Sequence, residues 1–271
     1  MFGASRESLA RQSDALDARR QGAGFDGLAG ELFAVAAVLE QQTQLRTALA
    51  DSGQLHAVRE SLVREIFGGK VSPLTEAVLL DVVAERWSSD DDLVMAIEQL
   101  AAQAAFTVAE ADGTLDATEE ELFRFGRAID QSPQLQMALT DPAQPAEVKA
   151  GIVNDLVRGR STEATRQVLE YSVGHLHGQR IDAVVDRLGE LAADQRQRVV
   201  AEVRVAAPLT GDQERRLADV LSRLKGRTVR LNVAVDPAVL GGVHVKVGDE
   251  VIDGTVATKL DKARRAILGA P

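Results

Sequence analysis

The strongest constraint on this chain is that much of it occurs twice. Displaced by 90 residues, Glu31, Leu32 and Phe33 fall on Glu121, Leu122 and Phe123, and between 31 and 83 the match is ungapped with 17 of 53 positions identical. Leu45, Ala48, Leu49 and Asp51 recur as Leu135, Ala138, Leu139 and Asp141. Val58, Leu62, Val63 and Ile66 return as Val148, Ile152, Val153 and Leu156. These spacings of three and four place the apolar groups on helix faces. A bias toward Ala and Leu scatters identities, but it does not hold one register while aligning turns with turns. The chain therefore carries a duplicated helical domain.

Local punctuation sets the number of helices. Ser72-Pro73 and Ser132-Pro133 each place a capping hydroxyl before a proline at the first helical position. Thr118 followed by Glu121 reads as a capping box, and Gly68-Gly69 and Gly159 stop the preceding helices. Ser88 and Ser89 precede Asp90, Asp91 and Asp92, whose charges suit the positive end of a helix dipole. That helix is expected to pass Ala105 toward Glu110 and to end at Gly113, long enough to bridge two bundles. The predicted domains are a first bundle over 1–104 and a second over 105–196.

From about 198 the period changes. Val199, Ala201, Val203 and Val205 alternate with Val200, Glu202 and Arg204, which is strand spacing. Thr210 and Gln213 form a capping box for a helix to Gly226, and Val229, Leu231, Val233 and Val235 alternate again. VHVKV, the turn Gly248-Asp249 and EVID read as a hairpin, and 256–268 as a closing amphipathic helix. The fold class is mainly α: two repeated helical bundles, then a small α/β domain over 197–271.

Composition excludes more than it suggests. The 271 residues include no cysteine, which removes disulfides, thiolate metal sites and thiol nucleophiles. Aromatic residues are 3%, too few for a base-stacking platform. Residues 1–196 hold 18 basic and 32 acidic side chains, and 197–271 hold 13 and 9, so an acidic front at -14 precedes a basic tail at +4. Such a front repels phosphate backbones, and no nucleic-acid partner is expected. The start, MFGASRESLARQ, has no apolar leader core, and no run approaches the ~18 to 20 apolar residues of a membrane span. Membrane association is expected only through partners.

Candidate chemistry fails its own tests. Gly22, Gly24 and Gly27 fit GxGxxG, but a polar helical stretch precedes them where a dinucleotide fold needs a buried strand. FGGKVS lacks a glycine at position 64, which is Arg64, and Val71 follows Lys70 where a phosphate loop needs Ser or Thr. His175 and His177 are two apart, so on a helix they would face different ways, and His56 and His244 are isolated. Neither catalytic nor metal-binding residues are assigned, and no cofactor is expected.

The string VAVDPAVLGGVHVKVGDEVIDGTVATKLDKARRAIL at 233–268, with AAPLT at 206–210, resembles the C-terminal domain of the ATP synthase delta subunits. This is the family of the mitochondrial oligomycin-sensitivity-conferring protein. The order of elements is the family's, and the helical region before it is similar to the family's six-helix bundle. Two departures stand out. Thr255 follows the final DG where Ser is common, and there are two bundles rather than one, an arrangement that resembles actinobacterial members. The resemblance implies a non-catalytic stator subunit, peripheral to the cell membrane on its cytoplasmic face. It implies that a bundle holds N-terminal segments of the alpha subunits and the C-terminal domain holds the b subunit. It points to Phe106, Ala109, Val168 and Tyr171 on the first and fifth helices of the second bundle. In the LGG and IDG elements it marks Gly241, Gly242, Asp253 and Gly254. A helical-repeat adaptor unrelated to ATP synthase is the main alternative, and an enzyme built on the C-terminal unit is a weaker one.

Overall fold

Helix boundaries repeat with the sequence. The computed structural model describes residues 3–20, 24–197, 199–225, 229–236, 239, 241–247 and 250–253. The first helices are α1 (Ala4–Ala18), α2 (Phe25–Gln41), α3 (Thr43–Ala50), α4 (His56–Phe67), α5 (Pro73–Ala84) and α6 (Asp90–Ala111). There follow α7 (Leu115–Gln131), α8 (Pro133–Thr140), α9 (Ala146–Val157), α10 (Glu163–Gly174) and α11 (Ile181–Gln197). Each helix from α7 to α10 starts and ends 90 residues after its counterpart among α2 to α5. Leu49 and Leu139 are both buried, as are Val63 and Val153. Val58 and Val148, expected on the apolar face, are half exposed in both copies.

The local signals act in both copies too. The Ser72 hydroxyl accepts from Thr75 N–H at 3.2 Å, and that of Ser132 from Leu135 N–H at 3.3 Å. Asp51 accepts from Gly53 N–H and Asp141 from Ala143 N–H, each at 2.8 Å, which closes the same turn twice. Gly69 and Gly159 have φ of 70° and 67°, the left-handed conformation that releases the chain from α4 and α9. Glu31 accepts from Ser72 N–H at 2.8 Å and Glu121 from Thr162 N–H at 2.8 Å, tying α2 to α5 and α7 to α10. Burial opposes charge on Glu31, but hydrogen bonds from Thr75 and Ser72 outweigh it and hold the carboxyl below its ordinary 4.5.

One cap is displaced from its expected place. Thr118 lies inside α7, which begins at Leu115 after Gly113 turns at φ 70°. The Thr118 hydroxyl is hydrogen-bonded to the Thr114 carbonyl and the Thr162 hydroxyl, and Glu121 is used between helices instead. Leu115 is 5% exposed, and its burial draws the helix start forward by a turn.

The long helix α6 serves both copies. Ser89 caps it by accepting from Asp92 N–H at 3.1 Å, and Asp90, Asp91 and Asp92 occupy its first turn. Its centre reads LAAQAAF, and Leu100 through Thr107 are all buried, a near-cylindrical burial rather than a single stripe. Alanine allows that, since neighbours approach closely on several sides. α2 packs along α6, and α1, α3 and α10 also lie against it. Gln103 donates to the Ser13 carbonyl at 3.0 Å and to Asp17 at 2.9 Å, satisfying a buried amide. Met1–Arg196 is one compact unit and Gln197–Pro271 a second. The sequence boundary at 104/105 falls within α6.

In the second unit, β1 (Val199–Val205), α12 (Gly211–Lys225) and β2 (Val229–Val235) form a parallel βαβ unit. β3 (Val243–Val247) and β4 (Glu250–Asp253) add antiparallel, giving the order β2-β1-β3-β4. Val203 of central β1 faces Val233 and Val245 across its two ladders. Ala201, Val203 and Val205 form a core with Leu221, while Thr210 and Gln213 make the expected reciprocal cap on α12. The Gly248-Asp249 turn and the closing helix at 256–268 lie outside the described residues.

Leu49→Ala and Leu139→Ala should each destabilise the helical unit by about 2 to 5 kcal/mol in urea titrations followed by circular dichroism. A loss below roughly 1 kcal/mol at either site would contradict equivalent core roles.

Candidate partner-binding surfaces

The glycine motifs resolve into helix ends. In FGGKVS the Lys70 ammonium donates to the Ile66 carbonyl at 2.8 Å, so it neutralises the C-terminus of α4. Gly68 sits where a Cβ would lie 2.2 Å from the Arg64 carbonyl oxygen. In the GxGxxG stretch, the helix α1 comes before and Gly24 precedes α2, while Gly22 is outside the described residues. Among the described residues no cluster of His, Asp or Glu could hold a metal. Nor, among them, is any helix long and apolar enough to cross a membrane.

Phe106 and Ala109 on α6, and Val168 on α10, are buried in the helical core. α6 and α10, which carry them, pack against each other. Tyr171, one turn after Val168, is partly buried with its ring stacked on Phe33 at 4.4 Å between centroids and on His175 at 4.1 Å. Its hydroxyl donates to Glu98 at 2.8 Å, and burial raises its pKa.

Around Tyr171 lies a polar cluster that sequence spacing did not reveal. α10 ends at Gly174, so His175 and His177 leave the helix, and His177 takes a left-handed φ of 49°. Both rings then reach carboxylates of the first copy. His175 Nδ1 is hydrogen-bonded to Glu40 of α2, and His177 Nε2 lies 2.8 Å from Glu98 of α6. The Glu98 hydrogen bond raises the His177 pKa above its ordinary 6.5 despite partial burial. The His175 hydrogen bond holds Glu40 below 4.5. The partners are 135 and 79 residues apart in sequence, beyond any local pattern. This cluster clasps the end of the second copy to the first.

In the C-terminal unit, Gly241 and Gly242 have φ of 138° and 83° and lead into β3. Asp253 ends β4, opposite His244 in the ladder, and Gly254 lies outside the described residues. α12 turns Leu217 and Leu221 inward, while Val220 and Leu224 are 53% and 65% exposed. Val235 and Val251 are also half exposed.

A family model described as ATP synthase delta (OSCP) subunit matches residues 97–267. The chain belongs to this family. ATP synthase subunit delta of Parafrankia sp. (strain EAN1pec) is 43% identical, covering 98% of this chain and 99% of its own length. The subunit delta of Nocardia farcinica is 42% identical over 98% and 100%, and that of Streptomyces griseus 40% over 99% and 100%. A chain of the Toxoplasma gondii mitochondrial ATP synthase hexamer aligns over 63% of this chain and 96% of its own with TM-score 0.28 and 22% identity. That alignment is too loose to bear on the fold. The family model begins within α6 and spans the second copy and the α/β unit, whereas the relatives match almost end to end. Membership sets aside the unrelated adaptor. It identifies a non-catalytic subunit of the ATP synthase complex.

Two measurements test these assignments. Calorimetry with ATP and magnesium should give no saturable heat, because Lys70 is engaged at its own helix end; a micromolar site lost in Lys70→Ala would overturn this. The clasp should show in stability against pH. His177, with its pKa raised, contributes fully below about 6.5, and its contribution fades as pH rises through the folded value. Glu40, with its pKa lowered, contributes above about 4.5 and fades as pH falls through its folded value. His177→Asn should therefore remove about 1 kcal/mol or less near pH 6 and less at pH 9. Equal losses at both values would show a role independent of charge.

Proposed function

We propose that this subunit is the stator joint between the catalytic head and the peripheral stalk of a bacterial F-type ATP synthase, supporting proton-driven ATP synthesis. The family match over 97–267 carries the reading, because it takes in a helical bundle and the α/β unit as one family module. A rotary enzyme needs a part that keeps the head from turning with the rotor. That part must grip two partners at once without consuming substrate. Bundles offer grooves and seams where an amphipathic segment buries its apolar face, and an α/β unit with open apolar groups offers a second grip.

In this reading the second bundle, over about 105–196, holds N-terminal segments of the alpha subunits, since it stands where the family module has its bundle. Phe106, Ala109, Val168 and Tyr171 shape that grip from α6 and α10. The first bundle is an added brace clasped on by the His175 and His177 cluster. The C-terminal unit takes the distal part of the b subunit, with Gly241, Gly242, Asp253 and Gly254 as contact positions. The subunit sits on the cytoplasmic face of the cell membrane through these partners, and the acidic helical region keeps it off nucleic acid.

Detergent-solubilised membranes should yield this chain with alpha, beta and b subunits. Cross-linking of that complex should join alpha N-terminal segments to acidic groups within 105–196. Links confined to the first 90 residues would reverse the two bundles' roles, and a complex lacking the b subunit would overturn the joint itself.

A further inference from the structure

In the first copy α2 meets α6, and their counterparts 90 residues on are α7 and α11. α2 and α6 lie close, with Ala29 and Ala36 buried. In the second, Ala29 is replaced by Glu119 and Ala36 by Gly126, where an added Cβ would stand 3.5 Å from Val185 of α11. A groove of about 500 Å³ opens between α7 and α11. Its floor is apolar, formed by buried Leu122 and Val185 and by the bare backbone at Gly126 and Gly189. Phe123 stands at its edge, 65% exposed, with the Arg127 guanidinium 6.0 Å from the ring centre.

The rim is acidic. Asp116, Glu119, Glu120, Asp130 and Asp186 face two arginines, Arg127 and Arg196. Arg196 of α11 lies 3.7 Å from Asp116 and 3.4 Å from Glu119, and the lining keeps its excess of negative charge on the α7 wall, where four carboxylates stand with Arg127. An apolar floor beside an acidic wall selects one kind of occupant. Acidic or neutral helices would bury Phe123 but gain nothing from the rim, and a small anion would be repelled.

We infer that the groove between α7 and α11 is a docking site for a basic amphipathic helix from a partner chain, its apolar face on Phe123 and Val185 and its Lys or Arg side chains on the acidic rim. α7 is 17 residues long, about 25 Å, which gives such a helix several turns of contact. The assignment names the chemistry of the occupant and does not depend on which subunit supplies the helix.

The test uses the full chain and a fluorescent 18-residue Leu/Lys peptide patterned as an amphipathic helix. A scrambled peptide of identical composition and a Leu/Glu version serve as controls. The patterned basic peptide should bind about tenfold or more tightly than the scrambled one, and the Leu/Glu peptide should not bind. Gly189→Leu adds a side chain into open groove space, since nothing lies within 4 Å of the point where its Cβ would stand. It should weaken binding about tenfold without lowering the thermal midpoint. Asp186→Lys should weaken binding likewise, whereas Glu65→Lys, at an exposed position of α4, should leave it unchanged. Equal binding of patterned and scrambled peptides, or no effect of Gly189→Leu, would overturn the site. Sedimentation showing a dimer that Gly189→Leu dissolves would make a second copy of the chain the occupant and overturn it as well.

Discussion

Everything in the helical unit depends on one helix being narrow enough to be surrounded. α6 can be buried on nearly all sides because its centre is LAAQAAF, where methyl-sized side chains let α1, α2, α3 and α10 share it. A helix with one apolar stripe would serve one bundle and show water its other face. Larger apolar side chains on every side would push the neighbours apart and reopen space that close packing fills. The polar groups kept in this crowded region are matched in pairs. Gln103 meets Ser13 and Asp17, and Glu98 meets Tyr171 and His177, so the burial that excludes water leaves these groups with partners.

The repeat itself was legible because its information is local. Capping hydroxyls at Ser72 and Ser132, glycines at 69 and 159, and apolar spacing all act within one or two turns, and the helices begin and end as they dictate. The strands of the second unit were legible for the same reason, since alternation in Val199–Val205 and Val229–Val235 is a period-two signal. What the sequence concealed was longer in range. Thr118 and Glu121 have the spacing of a capping box, yet Leu115 gains more by joining the helix, and Glu121 turns to Thr162, 41 residues away. The two histidines would face different ways only if α10 continued past Gly174, and it stops there.

For the candidate contact residues the division is similar. Family resemblance pointed to α6 and α10, but not to the burial of Phe106, Ala109 and Val168 in the helical core. Position in a motif says which residues belong together, and only packing says which of them face outward. The groove between α7 and α11 had one sequence trace, the replacement of small residues in α2 by charged ones in α7. On a single helix, such charges look like an ordinary solvated face. Their meaning arises from comparison between the two copies, which places charge where the first has Ala29 and Gly30.

The helix common to both copies also decides how force passes through the unit. Two domains on a peptide linker meet a sideways pull by rotating about it, and the load reaches the second only after the slack is gone. Here no linker lies between the copies. The 22 residues of α6 form a continuous rod of about 33 Å, with hydrogen bonds along its axis and neighbours packed on its flanks. A push on one copy is felt by the other as bending of that rod, resisted from the first ångström. The duplication thus lengthens the part without adding a joint.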